Sequence, residues 1–407
     1  MKMCYHLLIL FAFVSFTVSG QGNFPLESGR WHAEIQLNDS VNLPFILIVE
    51  DKAISIENAD EHILMDLIHY NDDSIVVRFP LYDAEIRMAS MGKIATGEFI
   101  NHAKTVNNIY YFRAMKDLSF RCFMIAEKPV ASVDGRWELQ FDDEEGIDKL
   151  NVAILKQEGN RVTGSVLTAT GDHRYLDGEL SGNHLQLSTF NGAFAMLYDG
   201  YMQKDGSLKG KFYSGHTGFD TWSAVRKETA SLPDATTITG MKPGFSKVDF
   251  SFPDLNGKII SMHDTCFSNK VVIVQIMGTW CPNCLDESVF LNKYLAANHI
   301  KGFEVVALDY ERTADTDKIR ANIKRVKDRL QLNYPILYAG NANRDSSSAS
   351  LPMLSRIAAY PTSIIIDRKG NVRKIHTGFS GSATGAEYES YTKEFDVLVE
   401  ELLNEEK

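Results

Sequence analysis

Cysteine is scarce in this chain, with five in 407 residues. A secreted scaffold stapled by disulfides would use many more in a much smaller protein, so that architecture is excluded. No long Lys/Arg block is present either, and Asp and Glu outnumber Lys and Arg 53 to 42, for a formal charge of −11 at pH 7. That balance does not suit a nucleic-acid or anionic-lipid surface. Also missing is an apolar run long enough to cross a bilayer comfortably. What remains is ordinary soluble globular material, 44% hydrophobic and 23% charged, in a chain too long for one growing core. Two or more domains are expected.

The N-terminus is set apart first. Lys2, the apolar run 7–14 and the small residues Ser19 and Gly20 have the order of a secretory signal peptide over 1–20, cleaved near Gly20. Export, to a periplasm, is the expectation, with an uncleaved N-terminal membrane anchor as the alternative. Cys4 precedes the apolar run and is badly placed for lipid attachment. Cleavage leaves Cys122, Cys266, Cys281 and Cys284.

Residues 21–230 read as all-β. Stretches such as 46–50, 74–79, 150–155 and 184–188 are short, β-branched or alternating, and separated by Gly, Asn and Asp. They also repeat. Gly29-Arg30-Trp31 returns as Gly135-Arg136-Trp137, Gly97-Glu98-Phe99 is echoed by Gly210-Lys211-Phe212, and each half closes on an aromatic-rich strand, 110–114 and 221–225. Two similar β units are expected, 21–128 and 129–230, as two small barrels or one paired sandwich. Trp31 and Trp137 are expected as buried plugs; the sharper alternative is a face for a partner protein or a glycan. His173 and His216 lie in Gly-rich turns without a second ligand at metal spacing and are expected as solvated loop residues.

Residues 231–245 have linker composition, and the pattern changes after them. Residues 248–252 and 258–262 flank Asp254-Leu255-Asn256-Gly257 as a hairpin, and 271–277 is continuously apolar, as a strand covered on both faces would be. A helix after Cys281 leads to a strand at 303–308. Ile319, Ile323, Val326 and Leu330 then repeat at helical spacing. Strands at 334–339, 362–367 and 372–377 and a closing helix marked by Tyr388, Tyr391, Phe395, Leu398 and Leu402 complete the plan. Residues 246–407 are therefore expected to form an α/β domain with a mixed central sheet, making the protein multidomain.

The chemistry lies at Gly278-Thr279-Trp280-Cys281-Pro282-Asn283-Cys284, where a buried strand hands over to a helix. A free cysteine is mostly protonated at neutral pH, and the thiolate is the nucleophile. A sulfur at a helix start meets unpaired N–H groups and the positive end of the dipole, which favour the anion. Cys281 holds that position, and Cys284, about one turn later, can resolve a mixed disulfide. Pro282 falls in the first turn, where its missing N–H matters little. A zinc site would need two further ligands, and Cys266 and His263 supply no second Cys-x-x-Cys. No metal and no cofactor beyond the Cys281–Cys284 pair are expected. Cys122 and Cys266 read as structural or idle thiols.

Trp-Cys-Pro-Asn-Cys after 271–277 resembles the thioredoxin superfamily, and the Phe-Pro-Asp-Leu-Asn-Gly-Lys hairpin resembles its TlpA/ResA-type branch of exported reductases, within the AhpC/TSA–redoxin superfamily. The resemblance spans residues 248–403. It implies a thioredoxin fold that reduces periplasmic disulfides. Tyr360-Pro361-Thr362 resembles the family's cis-proline loop, which implies that this loop and Trp280 meet the incoming substrate chain. Thioredoxin keeps a buried aspartate six residues before the first active cysteine, where this chain has Gln275. Glu287 matches the acidic residue that the family places behind the cysteine pair. It lies three residues after Cys284 and is the expected proton acceptor for that thiol. Asp286 is expected to point away into solvent.

These readings converge on an exported thiol–disulfide oxidoreductase, with protein disulfides as substrates and an upstream thiol as electron donor. The reducing direction rests on the resemblance. Two alternatives remain: a thiol peroxidase of the same fold, lacking the Pro-x-x-x-Thr-x-x-Cys setting, and a binding protein whose β repeats capture a partner. Oligomeric state is not encoded in any motif.

Overall fold

The computed structural model describes residues 19–20, 22–104, 106–118, 120–143 and 149–405. Apart from the backbone of Ser19 and Gly20, the expected signal peptide and Cys4 lie outside the described residues.

The two β units are both antiparallel meanders rolled so that the first strand meets the last. In the first, Gly29–Asn38 pairs with Val41–Glu50 on one side and with Ile109–Lys116 on the other. In the second, Gly135–Phe141 pairs with Leu150–Glu158 and with Gly218–Arg226. Here each of the eight long strands from 135 to 226 pairs with the next long one, so they close into a ring. The first unit differs at one place. Its fourth strand is interrupted at Met65, so that Glu61–Leu64 pairs back onto Ala53–Asn58 and Asp66–Tyr70 pairs forward onto Ser74–Arg78.

The repeated motif has one physical job in both units. Gly29 and Gly135 sit at φ +135° and +117°, a conformation that disfavours a Cβ. Trp31 and Trp137 are each 1% exposed, and each indole N–H donates to the carbonyl four residues earlier, Glu27 and Val133. A buried indole needs that acceptor. Trp31 faces Lys116 on the last strand just as Trp137 faces Arg226.

The units are fused. Phe190, Ala195, Leu197 and Tyr213 of the second lie in the core of the first. Between them the buried Arg121 guanidinium donates to Glu57 O, Asn58 Oδ1, and both Ser188 Oγ and Ser188 O, and sits 3.6 Å from Asp177.

The third part carries a five-stranded sheet in the order Ile336–Asn341, Phe303–Glu311, Val271–Met277, Thr362–Ile366, Val372–Thr377. The first three strands run parallel and the last two antiparallel to their neighbours. All seven residues of Val271–Met277 are buried, which is why its sequence lacks alternation. Helices Pro282–Asn298, Thr316–Arg329 and Ala386–Asn404 pack one side of this core; Phe250, Phe267 and Leu351 belong to the other. Residues 231–245 lie against this domain: Lys242 N bonds Met353 O, and Ala235 O receives Thr377 N.

The strand expected at 334–339 starts two residues later, after Pro335, which has no N–H to give the ladder. The helix Arg344–Ser350 was not expected, because Arg-Asp-Ser-Ser-Ser-Ala-Ser has no apolar period; the Asn343 side chain caps it. His173 and His216 are not solvated. His173 bonds the Tyr198 hydroxyl at 2.6 Å, and burial lowers its pKa to about 4. His216 stacks on Tyr110 at 3.8 Å and bonds Leu37 O and Ile109 O.

Candidate active site at the Cys281–Cys284 pair

Cys281 and Cys284 form a disulfide, with Cα atoms 5.3 Å apart. Cys281 is the N-cap of Pro282–Asn298 with extended backbone, Pro282 opens the helix, and Cys281 Sγ accepts from Cys284 N at 3.3 Å. The first sulfur thus already takes the hydrogen bond that a thiolate would strengthen. Cys281 is 6% exposed and Cys284 0%. A partner disulfide can reach only the first.

Behind the pair lies a closed polar cluster. Gln275, on the central strand, donates to Cys284 O at 3.1 Å and to Glu287 Oε2 at 2.9 Å. Ser363, on the strand after the cis-proline loop, donates to Glu287 Oε1 at 2.8 Å. Ser288 and Tyr334 reach Gln275 Oε1 at 3.1 and 3.4 Å. Burial raises the Glu287 pKa to about 7, against the two hydrogen bonds, which favour its charged form. Glu287 is therefore no surface carboxylate, and Gln275 orients it.

In front, the Tyr360–Pro361 peptide bond is cis, and Tyr360 O lies 3.5 Å from Cys281 Sγ. Trp280 meets Tyr360 edge-on at 5.4 Å and donates to Tyr310 O at 2.9 Å. Thr362 is fully buried, with its hydroxyl on Ala359 O, so it braces the loop from behind. Beneath Trp280, Thr279 N donates to Asp309 at 3.2 Å and the Thr279 hydroxyl to Glu311. Burial raises both carboxyl pKa values, and Glu311 raises that of Asp309 further.

The second β unit forms part of this site. Thr170 lines the cleft that Trp280 and Tyr360 share. Asn283, between the two cysteines, donates to Asp172 O at 3.0 Å, and Asp172 Oδ2 accepts from Gly381 N at 2.6 Å. A Cβ on Gly171 would fall 1.8 Å from Asn283 Nδ2. Asp286 is not free in solvent: Arg174 pairs with it and, at 2.5 Å, with Glu61 of the first unit. Nothing local in the sequence marks these contacts, since Asn283 and Asp172 stand 111 residues apart. Cys122 is half-buried against Gln186 O, and Cys266 is exposed; burial raises the pKa of both thiols. Among the described residues no group of three or more His, Cys, Asp or Glu is placed to hold a metal ion.

Residues 229–391 match the Redoxin family model. The thioredoxin-like protein YneN of Bacillus subtilis (strain 168) is 26% identical over 164 residues, 40% of this chain and 83% of that one. The thiol-disulfide oxidoreductase ResA of Bacillus thuringiensis subsp. konkukian (strain 97-27) is 28% identical over 153 residues, 38% and 78% of the two chains. This is a TlpA/ResA-type thioredoxin-like protein. Its enzyme class is that of the thiol–disulfide oxidoreductases. Among solved structures, a thioredoxin-family thiol:disulfide interchange protein of Chlorobium tepidum TLS is 22% identical, covers 40% of this chain and all of its own, and superposes with a TM-score of 0.30. In this TlpA/ResA-type chain the first 228 residues lie outside the matched span.

Proposed function

We propose that the chain is an exported disulfide reductase acting on proteins outside the cytoplasm through its Cys-Pro-Asn-Cys dithiol. In the reduced enzyme, Cys281 thiolate attacks a substrate disulfide. A Cys281–substrate disulfide forms and one substrate thiolate leaves. Cys284 then attacks Cys281 Sγ, closing the internal disulfide and releasing the second substrate thiol. Two electrons pass to the substrate, and an upstream thiol donor restores the dithiol. The Cys284 proton goes to Glu287, whose pKa near 7 suits it to accept and return a proton at neutral pH. Trp280, Tyr360 and Pro361 shape the floor for the incoming chain, with Thr362 bracing the loop. Lys2, the apolar segment 7–14 and the small residues Ser19 and Gly20 support export.

The observation that carries this reading is the difference in access: Cys281 at the helix start keeps some exposure, whereas Cys284 has none and is sealed beside Gln275 and Glu287. Single-turnover reduction of a peptide disulfide between pH 5 and 9 tests it. Glu287→Gln is expected to slow resolution about a hundredfold while largely sparing the first attack. Cys284→Ser is expected to stop at the mixed disulfide on Cys281. Superimposable resolution rates for wild type and Glu287→Gln would reduce Glu287 to a structural acid.

A further inference from the structure

A second cleft opens on the other side of Trp280. It is a cavity of about 270 Å³ at the junction of all three parts of the molecule, reached by Tyr82 and Lys104 of the first β unit, Ala193 of the second, and Trp280, Arg312 and Lys318 of the redox domain. Trp280 and Arg312 line both this cavity and the cleft that holds Tyr360, so they form the ridge between the two. The Arg312 guanidinium lies over the Trp280 indole, its Cζ 3.4 Å from the ring centroid.

The charge on this ridge runs against that of the chain. Four Lys and Arg side chains line the cavity against two acidic ones, in a protein of formal charge −11. Both acids are engaged. Asp83 faces Arg325 at 3.7 Å, and Glu311 is buried, taking the Thr279 hydroxyl and the Asn322 amide. His102 lies 3.4 Å from Glu85. Lys104 donates to the Tyr110 hydroxyl. Among the described residues, Arg312 and Lys318 make no ion pair. The carboxylate that acts on Arg312 is the occupied Glu311. A guanidinium stacked on an aromatic face keeps its N–H donors at the edge, free for a planar carboxylate.

We propose that this cavity is an anion subsite of the redox reaction. Arg312 and Lys318 bind a carboxylate carried beside the disulfide that Cys281 attacks. The substrate chain lies across Tyr360, crosses the Trp280–Arg312 ridge and places an acidic group in the cavity. This rests on the reductase reading above and adds a substrate class to it: disulfides flanked by Glu or Asp, or small disulfides that carry carboxylates themselves. Arg312 and Lys318 are specificity residues here and take no part in sulfur exchange.

The test uses the full chain and three peptide disulfides identical except for Glu, Gln or Lys next to the cysteine, with oxidised glutathione as the small carboxylate-bearing probe. At low ionic strength the Glu peptide is expected to be reduced about three- to tenfold faster than the Lys peptide, the range for one or two exposed charge pairs. The preference should collapse near 1 M salt. Arg312→Gln and Lys318→Gln should each shrink the Glu-to-Lys ratio; because Arg312 is the side chain that lies over the Trp280 ring, a disturbed indole cannot explain both. A charge preference confined to oxidised glutathione would assign the cavity to small disulfides. Equal rates for all three peptides and for both variants would overturn the subsite and leave the reductase standing. Should no disulfide be reduced, calorimetric titration with Cys-to-Ser peptides separates the two readings. Tighter binding of the Glu peptide that Arg312→Gln abolishes keeps the subsite, and indifference to charge removes it.

Discussion

The two β units begin with the same three residues and use the second of them differently. Arg30 turns back to Glu57 of its own unit, at 2.7 Å. Arg136 reaches Glu387 on the last helix of the redox domain, also at 2.7 Å, and donates to Ala230 O. The Trp that follows is buried in both, on the same i−4 carbonyl. The two units therefore share what packs inward and differ in what points outward. The outward set of the second unit, with Arg136, Thr170, Asp172 and Arg174, has become a wall of the redox site. The first unit meets that domain at Asp66–Arg329 and Asp83–Arg325, and meets the second unit at Glu61–Arg174.

Two arginines mark the two seams, and removing each would measure how unlike they are. Arg121 sits between the β units, 4% exposed, with its donors on Glu57, Asn58 and Ser188. Arg121→Ala removes the donors to Glu57 O, Asn58 Oδ1 and Ser188 and leaves Asp177 to Arg161 and Ala59 N, and should destabilise the chain by about 2–4 kcal/mol. Arg174 joins all three parts, but Asp286 is 30% exposed, and water screens its loss. Arg174→Ala should therefore amount to roughly 1–3 kcal/mol. Denaturant unfolding of the full chains gives both values. Equal losses would mean that the seams are equally buried in solution.

Glu287 offers a contrast with the acids of the seams. Ion pairs and hydrogen bonds hold Asp177 below the usual carboxylate range despite its burial, whereas burial wins at Glu287 and its pKa rises from 4.5 to about 7. The folded state thus binds a proton that the unfolded chain has lost between those two values, so stability falls as pH rises through that window. The contribution is fully present below about pH 4.5, and above about pH 7 roughly 3 kcal/mol is gone. Glu287→Gln should flatten this part of the profile, making the variant more stable than wild type at pH 8 and not at pH 4. A parallel pair of stability curves from pH 4 to 8 would show that Glu287 ionises in the fold as readily as in the unfolded chain.

How much of this was legible beforehand follows from the range of each interaction. The strand 271–277, the helix start at Cys281 and the apolar spacing of Ile319, Ile323 and Val326 are local patterns, and they fold as read. Gly29-Arg30-Trp31 and its copy were readable as a repeat because each serves the same turn and the same plug. Glu287 was readable from its distance to Cys284 on one helix, but Ser363 was not, since it arrives from another strand. Asp286 was misread for the same reason: its partner Arg174 belongs to another part of the chain. Arg312 carries no sequence signal, as its meaning comes from lying over Trp280.

The smallest expected effect tests the claim that the second unit walls the redox site. Asn283 stands between the two cysteines. In the fold its amide reaches Asp172 O at 3.0 Å, and Gly171 leaves no room for a side chain against it. Asn283→Ala would remove that bond and leave the buried Asp172 carbonyl without it, worth about 1–3 kcal/mol locally. Asp172 would still be held by Gly381 N and by its own bond to Arg174 N, so the global fold should survive. The consequence should be confined to the loop that carries Thr170. Amide exchange at 169–175 should quicken by about tenfold or more, while 150–158 on the same barrel stays protected. The reduced Cys281 thiol should then alkylate faster, because Thr170 no longer narrows the cleft beside Trp280. Unchanged exchange in the loop together with unchanged alkylation would show that Asn283 does not hold the wall, and that the second unit stands beside the active site without shaping it.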